Sequence, residues 1–179
     1  MDLDAINSPV EINLLISFFS LNSYSKLCQT KDSKEIFSIL SDFFELTGAI
    51  IESNNGKIIK WTGDGALAVF QEDNIRNGIA ALLECREKAN ERFAQRGLPL
   101  EMVIKANFGR VTCGRLGTKS SEQLDVIGAA VNTAARLSSS GLTITSAVFE
   151  KLDGKAKELF KEYASGWYAL FETNSRPAT

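Results

Sequence analysis

The sequence predicts an α+β fold with a ferredoxin-like βαββαβ core, its helices packed on an antiparallel sheet. Three observations predict it: two long segments of helical period, short apolar runs flanking each of them, and a Gly-Asp-Gly turn between two of those runs.

The first apolar run, residues 12–19, is nearly continuous and suits a strand buried on both faces. Residues 33–54 follow as a helix. Asp32 or Ser33 can cap it, and Ile36, Phe37, Leu40, Phe43, Phe44 and Thr47 recur on one face at spacings of three and four. The phenylalanines on that face read as core. Asn54-Asn55-Gly56 stops the helix. Residues 57–61 and 66–70 are short strands joined through Thr62-Gly63-Asp64-Gly65, a turn that projects the carboxylate from its tip.

Residues 74–96 form the second amphipathic helix, with Ile75, Ile79, Leu82, Leu83 and Cys85 towards a core, ended by Gly97-Leu98-Pro99. Residues 102–108 and 111–116 read as a strand pair, 129–137 as a shorter helix and 142–145 as a strand. Residues 146–160 read as helical, and 167–171 as an edge strand. One domain over residues 1–179 accounts for the chain, with its core at about 12–145 and a C-terminal arm at about 146–179.

Composition limits the function. A hydrophobic fraction of 44% and a charged fraction of 23% fit a soluble globular domain, and a net charge of −2 provides no field for general nucleic-acid binding. The chain has three cysteines at wide spacings and no histidine. Common zinc sites and histidine-dependent triads are thereby excluded. The cysteines read as reduced thiols of a cytoplasmic protein. No apolar stretch is long enough to span a bilayer, and acidic Asp2 and Asp4 are wrong for a secretory signal.

Two motifs carry the chemistry. The first is Lys57-Ile58-Ile59-Lys60-Trp61-Thr62-Gly63-Asp64-Gly65-Ala66-Leu67-Ala68-Val69-Phe70; the second runs Leu124-Asp125-Val126-Ile127-Gly128-Ala129-Ala130-Val131-Asn132-Thr133-Ala134-Ala135-Arg136-Leu137. Taken alone, Asp64 suits a turn, Lys60 a solvated strand face, and Arg136 the C-terminal end of a helix dipole. Together the stretches resemble the class III adenylate and guanylate cyclase catalytic domain, whose motifs read K-x-x-G-D-x-x-x-A-x-F and D-x-x-G-x-x-V-N-x-A-x-R.

The resemblance implies a fold of the class III nucleotide cyclase type and an active site between two such domains, in a homodimer or with a cyclase-domain partner. It implies ATP as substrate, cyclised to 3′,5′-cyclic AMP with release of pyrophosphate. Lys60 and Asp125 would read the adenine, Asn132 would position the ribose and Arg136 would meet the phosphates. Asp64 would hold Mg²⁺ or Mn²⁺. These residue types fit that chemistry. A 3′-hydroxyl must attack the α-phosphorus in line with the leaving group, which hard cations and a guanidinium assist.

Asp64 matches the second of the family's two metal aspartates; the first is expected at the end of the first strand, where the resemblance aligns Ser17. No acidic residue lies between Glu11 and Asp32, so the two-ion site is expected to be impaired. The sequence also offers only one strand for the terminal arm, which is expected to be shortened. Two functions remain open on this basis. One is an adenylate cyclase of low or partner-dependent activity; the other is an inactive cyclase homology domain that binds nucleotide or complements a partner.

Overall fold

The computed structural model describes residues 3–171. In chain order its elements are β1 (Val10–Asn22), α1 (Tyr24–Leu27), α2 (Ser33–Ser53), β2 (Gly56–Thr62), β3 (Gly65–Gln71) and α3 (Ile75–Gln95). There follow β4 (Glu101–Leu116), β5 (Gln123–Ile127), α4 (Ala129–Arg136), β6 (Leu142–Thr145), α5 (Ser146–Phe149), α6 (Gly154–Lys157), β7 (Phe160–Ala164) and β8 (Trp167–Leu170).

The strands form one sheet in the order β2-β3-β1-β4-β6-β8-β7, with β5 added to β4. β1 and β2 run the same way with β3 antiparallel between them; β3 and β4 run the same way with β1 between. These are two interleaved split βαβ units, the arrangement expected from the sequence. The sheet is mixed, because β4 and β6 pair in parallel.

Each sheet face carries its own core. Leu15, Phe19, Ala68, Phe70, Ile104 and Ala106 pack against α2 and α3, whose Ile39, Phe43, Ile79 and Leu82 are buried. Leu14, Ile16, Leu67, Val69, Val111 and Cys113 pack on the other face beneath α4 and residues Leu3 and Ile6. Asp32 caps α2 by accepting hydrogen bonds from the Lys34 and Glu35 amides, both at 2.9 Å.

Four expectations change. The strand pair at 102–108 and 111–116 is one continuous strand, β4, which passes straight through Gly109 and Arg110. Its second half pairs with β5, which sequence periodicity had not assigned. Residues 146–160 are not one helix: α5 and α6 are single turns, and Phe160 opens β7. The arm therefore ends in a β7–β8 hairpin, turned at Gly166 with φ 75°, rather than in one strand. Phe37 leaves the core; it is 75% exposed on α2.

Candidate nucleotide site

Lys60 and Asp125 are brought together from strands that are not neighbours in the sheet order. The Lys60 ammonium donates to Asp125 Oδ2 at 2.6 Å. A register shift between Ile58 and Lys60 re-aims the end of β2. Lys60 then pairs with Leu67 and shares its face. Asp125 comes from β5, between the buried Leu124 and Val126, and its Oδ1 also accepts from the Val126 amide at 2.8 Å. The side chains are 36% and 15% exposed, so the ammonium is partly open to water while the carboxylate is largely buried and paired with its lysine partner. A donor and an acceptor stand side by side here, the ammonium more open to solvent than the carboxylate.

Asp64 sits in the β2–β3 turn, half-buried, and its Oδ2 accepts from the Leu21 amide at 3.1 Å. The turn needs its glycines. Gly63 has φ 61°, and a Cβ on Gly65 would lie 1.9 Å from the Phe19 carbonyl oxygen. The turn is thereby pressed onto the last part of β1. Tyr24 lies close by. Its hydroxyl is held above the usual phenol range, first by a hydrogen bond with the Cys28 thiol, then by burial and by the charges of Cys28 and Asp64.

Asn132 and Arg136 project from α4, four residues apart on one exposed face, and neither side chain pairs with any described residue. The helix itself is anchored. Ala134 and Leu137 are buried. Asn107 Nδ2 donates to the Ala130 carbonyl at 2.9 Å, while the Thr145 hydroxyl donates to Asn107 Oδ1 at 2.7 Å. Gly109 leaves room for the first turn, since a Cβ there would approach Ala130 Cβ to 2.9 Å. Neither sequence motif contains Asn107. Its only signal is a polar residue within an otherwise alternating strand.

Ser17 is fully buried, and its hydroxyl has no hydrogen-bond partner. It pairs with Ala68 and Ala106, so it points into the core beneath α2 and α3. β1 continues beyond it for five residues, to Asn22. The structure therefore does not bring Ser17 to Asp64. Among the described residues, no hydrogen bond or ion pair joins Asp64, Asn132 or Arg136 to the Lys60–Asp125 pair.

This fold and this set of side chains define a nucleotide-cyclase type of domain. The chain matches the family model of the adenylate and guanylate cyclase catalytic domain over residues 8–162, and it belongs to that family. It is 31% identical to an adenylate cyclase of Anabaena cylindrica over 138 residues, covering 73% of this chain and 27% of that protein. It is 27% identical to adenylate cyclase 1 of Rhizobium meliloti over 130 residues, covering 67% and 19%. The chain thus spans about a quarter or less of the length of these relatives.

The crystal structure of the guanylyl cyclase Cya2 superposes with a TM-score of 0.73 at 25% identity, covering 79% of each chain. That of the adenylyl cyclase CyaB from P. aeruginosa shares the fold, with a TM-score of 0.79 at 17% identity over 94% and 98% of the two chains. Among the described residues, no helix is long and apolar enough to cross a membrane.

The family generally uses divalent metal ions. The donors here do not fit a cation pair: among the described residues, no three of His, Cys, Asp and Glu converge. Asp64 stands alone with one oxygen already engaged by Leu21.

Proposed function

We propose that the chain is an adenine-nucleotide-directed cyclase domain that supplies the nucleoside- and phosphate-reading half of a site completed across a dimer. In this reading Lys60 donates to adenine N1 and Asp125 accepts from the 6-amino group. Guanine presents the reverse pattern at these positions, so the pair favours ATP. Asn132 orients the ribose, and Arg136 neutralises charge developing on the phosphoryl oxygens as the 3′-oxygen bonds to the α-phosphorus and pyrophosphate leaves. The products are 3′,5′-cyclic AMP and pyrophosphate.

The carrying observation is the Lys60–Asp125 pair at 2.6 Å, a donor and an acceptor held side by side by two strands that are not neighbours in the sheet. The unpaired, outward Asn132 and Arg136 also suit a site that closes on a second chain. Since Asp64 is a lone carboxylate, full turnover on this reading requires a cyclase-domain partner that contributes its own pair of metal carboxylates; a homodimer turns over slowly at best. A cytoplasmic setting, where ATP is made, belongs to the same proposal.

The test is competition of ATP and GTP against a fluorescent ATP analogue on the purified chain, with cyclic AMP measured in Mn²⁺. Binding at least tenfold tighter for ATP, lost in Lys60→Ala, is expected. Equal affinity for the two nucleotides, or binding unaffected by Lys60→Ala, would overturn the base-reading assignment. Rapid cyclic AMP formation by the chain alone would overturn the dependence on a partner.

A further inference from the structure

The register of β1 identifies which residue actually faces the Asp64 turn. β1 and β3 pair from Leu14↔Gln71 to Phe19↔Ala66. The next positions along that ladder are Ser20 beside Gly65 and Leu21 beside Asp64. Two close approaches agree with this. The Leu21 amide donates to Asp64 Oδ2 at 3.1 Å, and a Cβ placed on Gly65 would lie 2.8 Å from the Ser20 Cα. The peptide between Ser20 and Leu21 adds at most about 2.9 Å to that hydrogen bond, so the Ser20 Cα lies within about 6 Å of the Asp64 carboxylate.

The side chain also points the right way. Successive residues of a strand alternate between faces. Ile16 and Phe18 pack into the core beneath α4, and Ser20 follows them at period two. Leu67, the partner of Lys60, belongs to the same core. Ser20 therefore shares a face with Lys60 and α4. It is half-buried, at the end of its strand, next to a carboxylate with one oxygen uncommitted. Ser17 fails on both counts. It faces α2 and α3, and it lies four residues, about 13 Å, from Leu21 along the strand.

We propose that Ser20, not Ser17, occupies the place on β1 from which a carboxylate would share a divalent cation with Asp64, and that a serine there leaves this chain with a one-carboxylate half-site. The inference deepens the reading of a domain that relies on its partner for cations, and it rests on that reading. A neutral hydroxyl is a weak ligand for a hard dication, which takes several oxygens and favours charged ones. A second carboxylate within reach of the first converts a point contact into a chelate. At Ser17 the same substitution would bury an unpaired charge.

The test is Mn²⁺ binding without nucleotide or partner, by electron paramagnetic resonance titration of free Mn²⁺, for the native chain and the variants Ser20→Asp, Ser20→Glu, Ser20→Asn and Ser17→Asp. Melting curves are recorded alongside. Ser20→Asp or Ser20→Glu is expected to bind Mn²⁺ at least tenfold more tightly than native. Ser20→Asn is expected to show no gain, and Ser17→Asp to melt earlier, also with no gain. Native binding as tight as that of the Ser20 carboxylate variants, or a gain at Ser17 with none at Ser20 in folded protein, would overturn the proposal. If neither Ser20 carboxylate variant folds, that too overturns it, because a half-buried site facing Asp64 must accept a carboxylate once Mn²⁺ is supplied. None of these outcomes depends on adenine recognition, so the base-reading assignment stands or falls separately.

Discussion

Lys60 Nζ and Asp125 Oδ2 lie 2.6 Å apart although 65 residues separate them in sequence, and their contact joins the β2 edge of the sheet to the β5 strand carried by β4. With Asp125 only 15% exposed, removing one partner leaves the other charge unpaired and costs stability as well as recognition. Binding and melting are therefore read together. Lys60→Ala and Asp125→Ala should each weaken ATP binding at least tenfold, and Lys60→Ala, which strands the carboxylate, should lower the melting temperature the more. The double variant should bind little worse than either single one. Isothermal titration and differential scanning fluorimetry provide both readouts.

Ser17 is a buried hydroxyl with no partner among alanines and aliphatic side chains. Such a group costs about 1–3 kcal/mol of desolvation that no hydrogen bond offsets. Ser17→Ala should accordingly stabilise the fold by about 1 kcal/mol, raising the melting temperature by about 2–4 °C. A fall in that temperature would show that the hydroxyl is satisfied in solution.

Asn107 holds the first turn of α4 to the sheet through Ala130 and is itself held by Thr145. Asn107→Ala orphans both partners and should cost about 1–3 kcal/mol. It should also loosen the helix that carries Asn132 and Arg136, weakening ATP binding several-fold. Asn107→Asp keeps the acceptor for Thr145 but buries a charged carboxylate with one oxygen against the Ala130 carbonyl, so it should lower both stability and ATP binding at least as much as Asn107→Ala.

Burial pushes the Cys85 thiol up to about 12 from an ordinary 9.0, and raises that of Cys113 for the same reason, while Cys28 is exposed. Iodoacetamide at neutral to mildly alkaline pH should modify Cys28 alone, as mass spectrometry would reveal. The sign of the stability effect follows from proton counts. Between pH 9 and about 12 the unfolded chain has released the Cys85 proton and the folded chain has not. Stability therefore declines as pH rises through that window, by up to about 1.4 kcal/mol per pH unit for this group. Urea midpoints measured across it should fall more gently for Cys85→Ala.

What the sequence makes legible depends on whether a signal is local. The period of Ile75, Ile79 and Leu82 and the Gly-Asp-Gly turn survive unchanged because propensity and spacing determine them. Phe37 also falls on the apolar stripe of its helix, yet it is 75% exposed in the folded chain, and no local pattern reports that. Ser17 lies within the apolar run at 12–19 and Ser20 just beyond it, yet both belong to one strand. Only pairing with β3 and β4 distinguishes the serine that faces the helices from the one beside Asp64. The Lys60–Asp125 contact is equally non-local; the motifs name the residues, and the fold of β4 with β5 makes them meet.

Gly109 and Arg110 look in sequence like the natural place to open the chain, since glycine beside a charged residue commonly marks a turn. In the folded molecule they lie inside the uninterrupted β4, with β1 alongside and the attachment of β5 immediately beyond. For protein engineering the consequence is concrete. A sensor module spliced there would detach the Asp125 strand from the sheet, whereas the exposed turn at residues 117–122 accepts extra chain without breaking a single strand pairing.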